Sequence, residues 1–66
     1  MNNNIKKLRE ERGLSQKKLA EKCRVSRQTI NAIENNKYDP TLELAFRLAN
    51  LLNVTVDDLF IYRRSE

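Results

Sequence analysis

Residues 15–35 read Ser15-Gln16-Lys17-Lys18-Leu19-Ala20-Glu21-Lys22-Cys23-Arg24-Val25-Ser26-Arg27-Gln28-Thr29-Ile30-Asn31-Ala32-Ile33-Glu34-Asn35. Ser15 is placed to cap a helix over about residues 16–23, because its hydroxyl can accept one of the amide protons that a helix start leaves unpaired. Leu19, Ala20 and Cys23 recur at i, i+1 and i+4, which gives this two-turn helix one buried stripe. Arg24-Val25-Ser26 interrupts the pattern, and Ser26 caps a further helix over about 27–35. Two short helices with so tight a connection form a helix-turn-helix arrangement over about residues 15–35.

The second of these helices carries the chemistry. At about 100° per residue, Arg27, Asn31, Asn35, Gln28 and Ala32 share an arc of about 140°, while Thr29, Ile33, Ile30 and Glu34 take the other side. The isoleucines supply an inward anchor. The outward face holds side chains that read base edges: Arg matches guanine O6 and N7, Gln and Asn match adenine N6 and N7, and Ala is short enough to meet a thymine methyl. A face that served only to stay hydrated would more usually carry Glu and Lys. Arg27 and Gln28 stand at the helix start, the end that enters a major groove first and whose free amides and dipole favour phosphate.

Outward from this pair, Asn3 or Asn4 caps a first helix over about 4–12, with Ile5, Leu8 and Arg9 on one face and Gly13 as a left-handed stop. On the other side, Asn35-Asn36-Lys37-Tyr38-Asp39-Pro40 is rich in turn residues, and the position before Pro40 disfavours helix. Thr41 caps a fourth helix, about 42–52, whose core stripe is Leu42, Ala45, Leu48, Ala49 and Leu52, with Asn53 as its stop. Thr55 with Asp58 forms a capping-box pattern opening a short fifth helix, about 56–60, that returns Val56, Leu59 and Phe60 to the core. Ile61-Tyr62-Arg63-Arg64 reads either as one strand of a small ribbon with Met1 to Asn4 or as a frayed tail. The expected fold is therefore all-α, five helices in a single domain spanning 1–66.

Composition narrows the function. A chain of 66 residues with 39% hydrophobic residues, one Gly and one Pro suits a compact helical core and leaves little material for hairpins. Cys23 is the lone cysteine and histidine is absent, so an internal disulfide, a zinc set and the commonest general base are all missing. No enzyme activity, cofactor or metal is expected. Apolar stretches are only a few residues long and Met1 to Asn4 are polar, which points to a cytoplasmic protein without a membrane span. Residues 1–38 carry ten Lys/Arg against four Asp/Glu, a charge of +6, whereas residues 39–66 carry −2. A phosphate-facing half joined to a packing half produces such asymmetry, as does a helical surface that merely solvates itself.

The motifs in register resemble the repressor and Cro type of phage and bacterial regulators, the XRE group. The resemblance runs through Ile5-Lys6-Lys7-Leu8-Arg9, Leu14 to Ala20, Val25 to Asn35, Pro40-Thr41-Leu42 and Asp58-Leu59-Phe60. It implies a five-helix repressor-like domain in which residues 27–35 are the recognition helix and double-stranded DNA is the partner. By the same resemblance Gln16 binds a backbone phosphate and braces Gln28, while Arg27, Gln28, Asn31 and Ala32 face bases. Ser26, Asn35, Asn36 and Lys37 then meet phosphates, and Arg9 and Glu34 form a salt bridge tying the first helix to the recognition helix. Asn36 stands where many relatives have Gly, a substitution that Asn tolerates in the left-handed region. Lys6, Lys17, Lys18 and Arg24 could add nonspecific attraction.

One recognition helix touches few base pairs, and each mismatch costs only about 1–3 kcal/mol. A two-fold homodimer would set two such helices about 34 Å apart and select an inverted-repeat operator. The apolar residues left over from the core stripes, Leu44, Leu51, Phe60, Ile61 and Tyr62, are the candidate dimer contacts, with about 56–64 as the dimerisation segment; the competing role for some of them is to complete the core. The expected function is transcriptional repression by occlusion, with no small-molecule ligand. An antitoxin-like or other protein-interaction module that also binds DNA is the alternative.

Overall fold

Four of the five helices begin on a Ser or Thr whose hydroxyl accepts the amide proton three residues on. Ser15 receives Lys18 N–H, Ser26 receives Thr29, Thr41 receives Leu44 and Thr55 receives Asp58, all within 3.0–3.2 Å. Asp58 returns a bond to the Thr55 amide, which completes the capping box. The first helix is capped differently: Asn3 Oδ1 accepts the Ile5 amide at 3.1 Å, and Asn4 makes no side-chain cap. The computed structural model describes residues 1–62, so Arg63 and Arg64 of the expected ribbon and dimerisation segment lie outside the described residues. In chain order the elements are β1 (Asn2–Asn3), α1 (Ile5–Glu11), α2 (Gln16–Cys23), α3 (Arg27–Glu34), α4 (Leu42–Leu51), α5 (Val56–Leu59) and β2 (Phe60–Ile61).

The stops are as local as the starts. Gly13, Arg24, Asn36 and Asn53 all adopt positive φ, between 58° and 68°. Gly13 and the two asparagines suit that region, whereas a β-carbon makes it unfavourable for Arg24 by roughly 1–2 kcal/mol. Arg24→Gly is therefore expected to raise the unfolding free energy by about 0.5–1 kcal/mol, after allowing for the greater freedom of Gly in the unfolded chain. Urea titrations of the two proteins check it.

The strands pair antiparallel, Asn2 opposite Ile61 and Asn3 opposite Phe60. A short ribbon forms at Phe60 and Ile61, and Tyr62 lies outside it. Phe60 consequently leaves the fifth helix one residue earlier than expected, with φ −112° and ψ 140°. Between these layers Ile5, Leu19, Ile30, Ile33, Leu48 and Leu59 are wholly buried, drawing α1 to α5 onto one core. Cys23 lies in it as a small apolar residue; burial pushes its thiol pKa up, with the Arg47 cation opposing more weakly. Arg47 also donates to the Cys23 carbonyl at 3.1 Å and so fastens α4 to the end of α2.

Two residues of α4 exchange their expected places. Leu44, expected at the surface as a dimer contact, is 7% exposed and belongs to the core, while Leu42, expected in the core stripe, is 72% exposed. Side chains on a helix lean toward its N-terminus, so Leu42, the first residue of α4, projects past the core's edge. Phe46, one turn later on the same face, is also exposed.

Candidate nucleic-acid interface

Ile30 and Ile33 hold α3 against the core, and this orients the rest of the helix. Arg27, Gln28 and Asn31 are exposed and Ala32 is half-buried. With Gln16 from the first turn of α2, Arg27, Gln28 and Asn31 line one shallow depression. Base-type side chains and the start of a helix thus share one open surface, and Lys17, Lys18, Arg24 and Lys37 are exposed too.

Beneath that surface lies an ion pair. Arg9 Nε donates to Glu34 Oε2 at 2.7 Å and its Nη2 to Oε1 at 3.2 Å, with the side chains only 9% and 3% exposed. The third guanidinium nitrogen, Nη1, donates to the Leu14 carbonyl at 2.8 Å. The hydrogen bonding that Glu34 accepts raises the Arg9 pKa above its ordinary value, outweighing desolvation, which acts the other way. Both charges are satisfied, and α1 is clamped to the far end of α3. An acidic residue is thereby kept on this helix without facing outward.

Gln16 Nε2 donates to Glu34 Oε1 at 3.0 Å, and Asn31 Nδ2 approaches Gln16 Oε1 at 3.5 Å. The residue braced by Gln16 is therefore Asn31, where the resemblance implied Gln28. Helix geometry explains the difference, since Glu34, Arg27 and Asn31 share the flank turned toward α2 and Gln28 lies about 60° beyond Asn31. Asn35 Nδ2 donates in turn to Asn31 Oδ1 at 3.2 Å and to its carbonyl at 2.9 Å.

The loop after α3 is tied from outside by the N-terminal strand, a connection that carried no sequence signal. Asn3 Nδ2 donates to the Ile33 carbonyl at 2.8 Å, and Asn36 Nδ2 to Asn2 Oδ1 at 3.0 Å. The N-terminal ammonium pairs with Asp39 at 3.0 Å. The amide protons of Asn35, Asn36 and Lys37 are all bonded to carbonyls of α3. Ser26 is engaged as a cap with Thr29. Among the five residues expected at phosphates, the Lys37 ammonium has no protein partner among the described residues, whereas Gln16, Ser26, Asn35 and Asn36 already hydrogen-bond within the fold.

Of the expected dimer contacts, Leu51, Ile61 and Tyr62 are exposed and Phe60 is partly buried against the core. Two adjoining depressions that share Met1 and Asp39 bring Leu42, Phe60, Ile61 and Tyr62 onto one side of the molecule. Leu51 is nine residues from Leu42 on α4, which sets it about 180° around the helix. One flat contact cannot take both. No helix among the described residues is long and apolar enough to cross a membrane.

Comparison with known proteins agrees with this geometry. A family model described as helix-turn-helix matches residues 5–59. An uncharacterized HTH-type transcriptional regulator of Methanocaldococcus jannaschii is 50% identical over 66 residues, covering all of both chains. The HTH-type regulator YgzD of Bacillus subtilis is 42% identical over 60 residues, 91% of each chain. The relatives thus reach into the archaea, beyond the bacterial and phage proteins of the sequence resemblance. Among solved structures, the master regulator for biofilm formation SinR in complex with DNA superposes with a TM-score of 0.72 at 34% identity, covering 79% of this chain and 84% of that one. The chain belongs to the helix-turn-helix transcriptional regulators of the XRE, Cro/C1 type.

Proposed function

We propose that this DNA-binding regulator acts as a homodimeric repressor, in the cytoplasm, whose α3 helices enter successive major grooves of an inverted-repeat operator. The observation that carries the reading is the exposed face of Arg27, Gln28 and Asn31 on a helix whose opposite face is anchored by the wholly buried Ile30 and Ile33. In this reading Arg27, Gln28, Asn31 and Ala32 read bases. Lys37 and the first amides of α3 meet phosphates, joined by Gln16 through the Nε2 proton that its bond to Glu34 leaves free, and by Ser26, Asn35 and Asn36 where their hydrogen bonds rearrange on contact.

A second copy is favoured as the partner of the apolar side formed by Leu42, Phe46, Phe60, Ile61 and Tyr62. Leu42 and Phe46 are 72% and 57% exposed, a cost that pairing removes. Pairing two α3 helices also doubles the number of bases read, which one short helix needs to distinguish a site. The bound dimer would act by occupancy, excluding polymerase or an activator without catalysis.

Arg27→Ala and Gln28→Ala are each expected to lose about 1–3 kcal/mol of discrimination at one base position per half-site while the fold is retained. Lys37→Ala should weaken all sequences alike and flatten the dependence of log K on log salt by about one unit per site. Titrations of operator and scrambled duplexes at several salt concentrations separate the two behaviours. Sequence preference left intact in both base-face variants would overturn the assignment of α3.

A further inference from the structure

A chain of hydrogen bonds leads from the interior to the outward face of α3, and its first member fixes the direction of the rest. Glu34 is a carboxylate held by Arg9, with its side chain 3% exposed, so it can only accept. Gln16 must therefore turn its amino group toward Glu34, at 3.0 Å, and its carbonyl outward. That carbonyl faces Asn31 Nδ2 at 3.5 Å, which leaves Asn31 Oδ1 on the far side, where Asn35 Nδ2 donates at 3.2 Å. Asn31 keeps one N–H and one carbonyl lone pair side by side and free.

From this we infer that Glu34, which no base can reach, is a specificity-determining residue: through Gln16 it sets which way round Asn31 presents its donor and acceptor. The inference rests on the proposed reading of α3 as the base-contacting helix. The order so fixed is the one that pairs with a purine offering acceptor N7 beside donor N6, the major-groove edge of adenine. An amide turned the other way would set donor against donor and acceptor against acceptor at the same base. Guanine offers two acceptors and meets the free N–H alone. Glu34 is thus a positioning residue whose effect falls on one base pair in each half-site.

Two variants act on the relay at different points. In Glu34→Gln the side-chain oxygen can stay with Arg9 Nε while the new amino group faces Gln16, which reverses the relay at the loss of the bond that Oε1 accepts from Arg9 Nη2. Gln16→Met cuts it and leaves the Arg9–Glu34 pair in place, so it carries the test if Glu34→Gln does not fold. The assay measures affinities for duplexes bearing each of the four bases at every operator position, with Asn31→Ala first identifying the position that Asn31 reads. The expected result is that both variants lower the adenine preference there by about fivefold or more, while relative preferences elsewhere stay unchanged. A uniform loss of affinity or a lower melting temperature, with the adenine preference retained in the folded variant, would overturn the inference. If Asn31→Ala itself alters no position, the base-reading role of α3 fails, and the relay's role falls with it.

Discussion

Arg9→Met is expected to lower the unfolding free energy by about 3–5 kcal/mol, because it leaves the Glu34 carboxylate buried without its cation. The side chain of Glu34 is 3% exposed and holds two Arg9 nitrogens at 2.7 and 3.2 Å. Gln16 alone cannot replace that charge. At roughly 0.05–0.15 kcal/mol per residue, a chain of this size has only about 3–10 kcal/mol in total, so the variant is expected to lose a large part of its stability and to melt well below wild type. The loss should be absent from the double variant Arg9→Met/Glu34→Leu, which replaces the pair by apolar groups of similar volume. Circular-dichroism melts of wild type, single and double variants check this. A single variant as stable as the double would show that the ion pair contributes nothing that its removal exposes.

Ile30→Ala should cost about 2–5 kcal/mol, from lost burial plus the cavity left behind. Ile30 is fully buried, and with Ile33 it seats α3 on the core, so stability and DNA affinity are coupled through one side chain. The bases would meet an unchanged outer face, but only in the folded fraction. Bound duplex stabilises the native state by mass action, by about 2.7 kcal/mol at a free concentration 100 times Kd. The melting temperature of Ile30→Ala should therefore fall well below wild type and climb as operator DNA is added. A variant that melts like wild type and yet does not bind would instead place Ile30 at the DNA surface.

What the sequence made legible were the features written in neighbouring residues. Caps at Ser15, Ser26, Thr41 and Thr55 and stops at Gly13 and Asn53 each depend on the chemistry of a few positions, so the helices follow within a residue or so. The inward Ile30 and Ile33 likewise follow from helical period. Edges of the core were harder to read. Leu42 and Leu44 both look apolar on α4, and which of them is buried depends on where the helix begins relative to α2, a tertiary fact. The ties from Asn2 and Asn3 to Ile33 and the loop at Asn36 join residues thirty or more positions apart, with no periodic pattern to announce them. The brace from Gln16 to Asn31 rather than Gln28 was hidden for the same reason, because it turns on how far α3 is rotated toward α2.

The face that α3 turns to solvent is tested most directly by selecting bound sequences from a pool of random duplex DNA with the wild-type protein. The account predicts an enriched inverted repeat whose half-sites are centred about 34 Å, or roughly 10 base pairs, apart, and whose specific positions lose definition in Arg27→Ala and Gln28→Ala. Recovery of no shared motif, with binding that responds to salt alone, would contradict it.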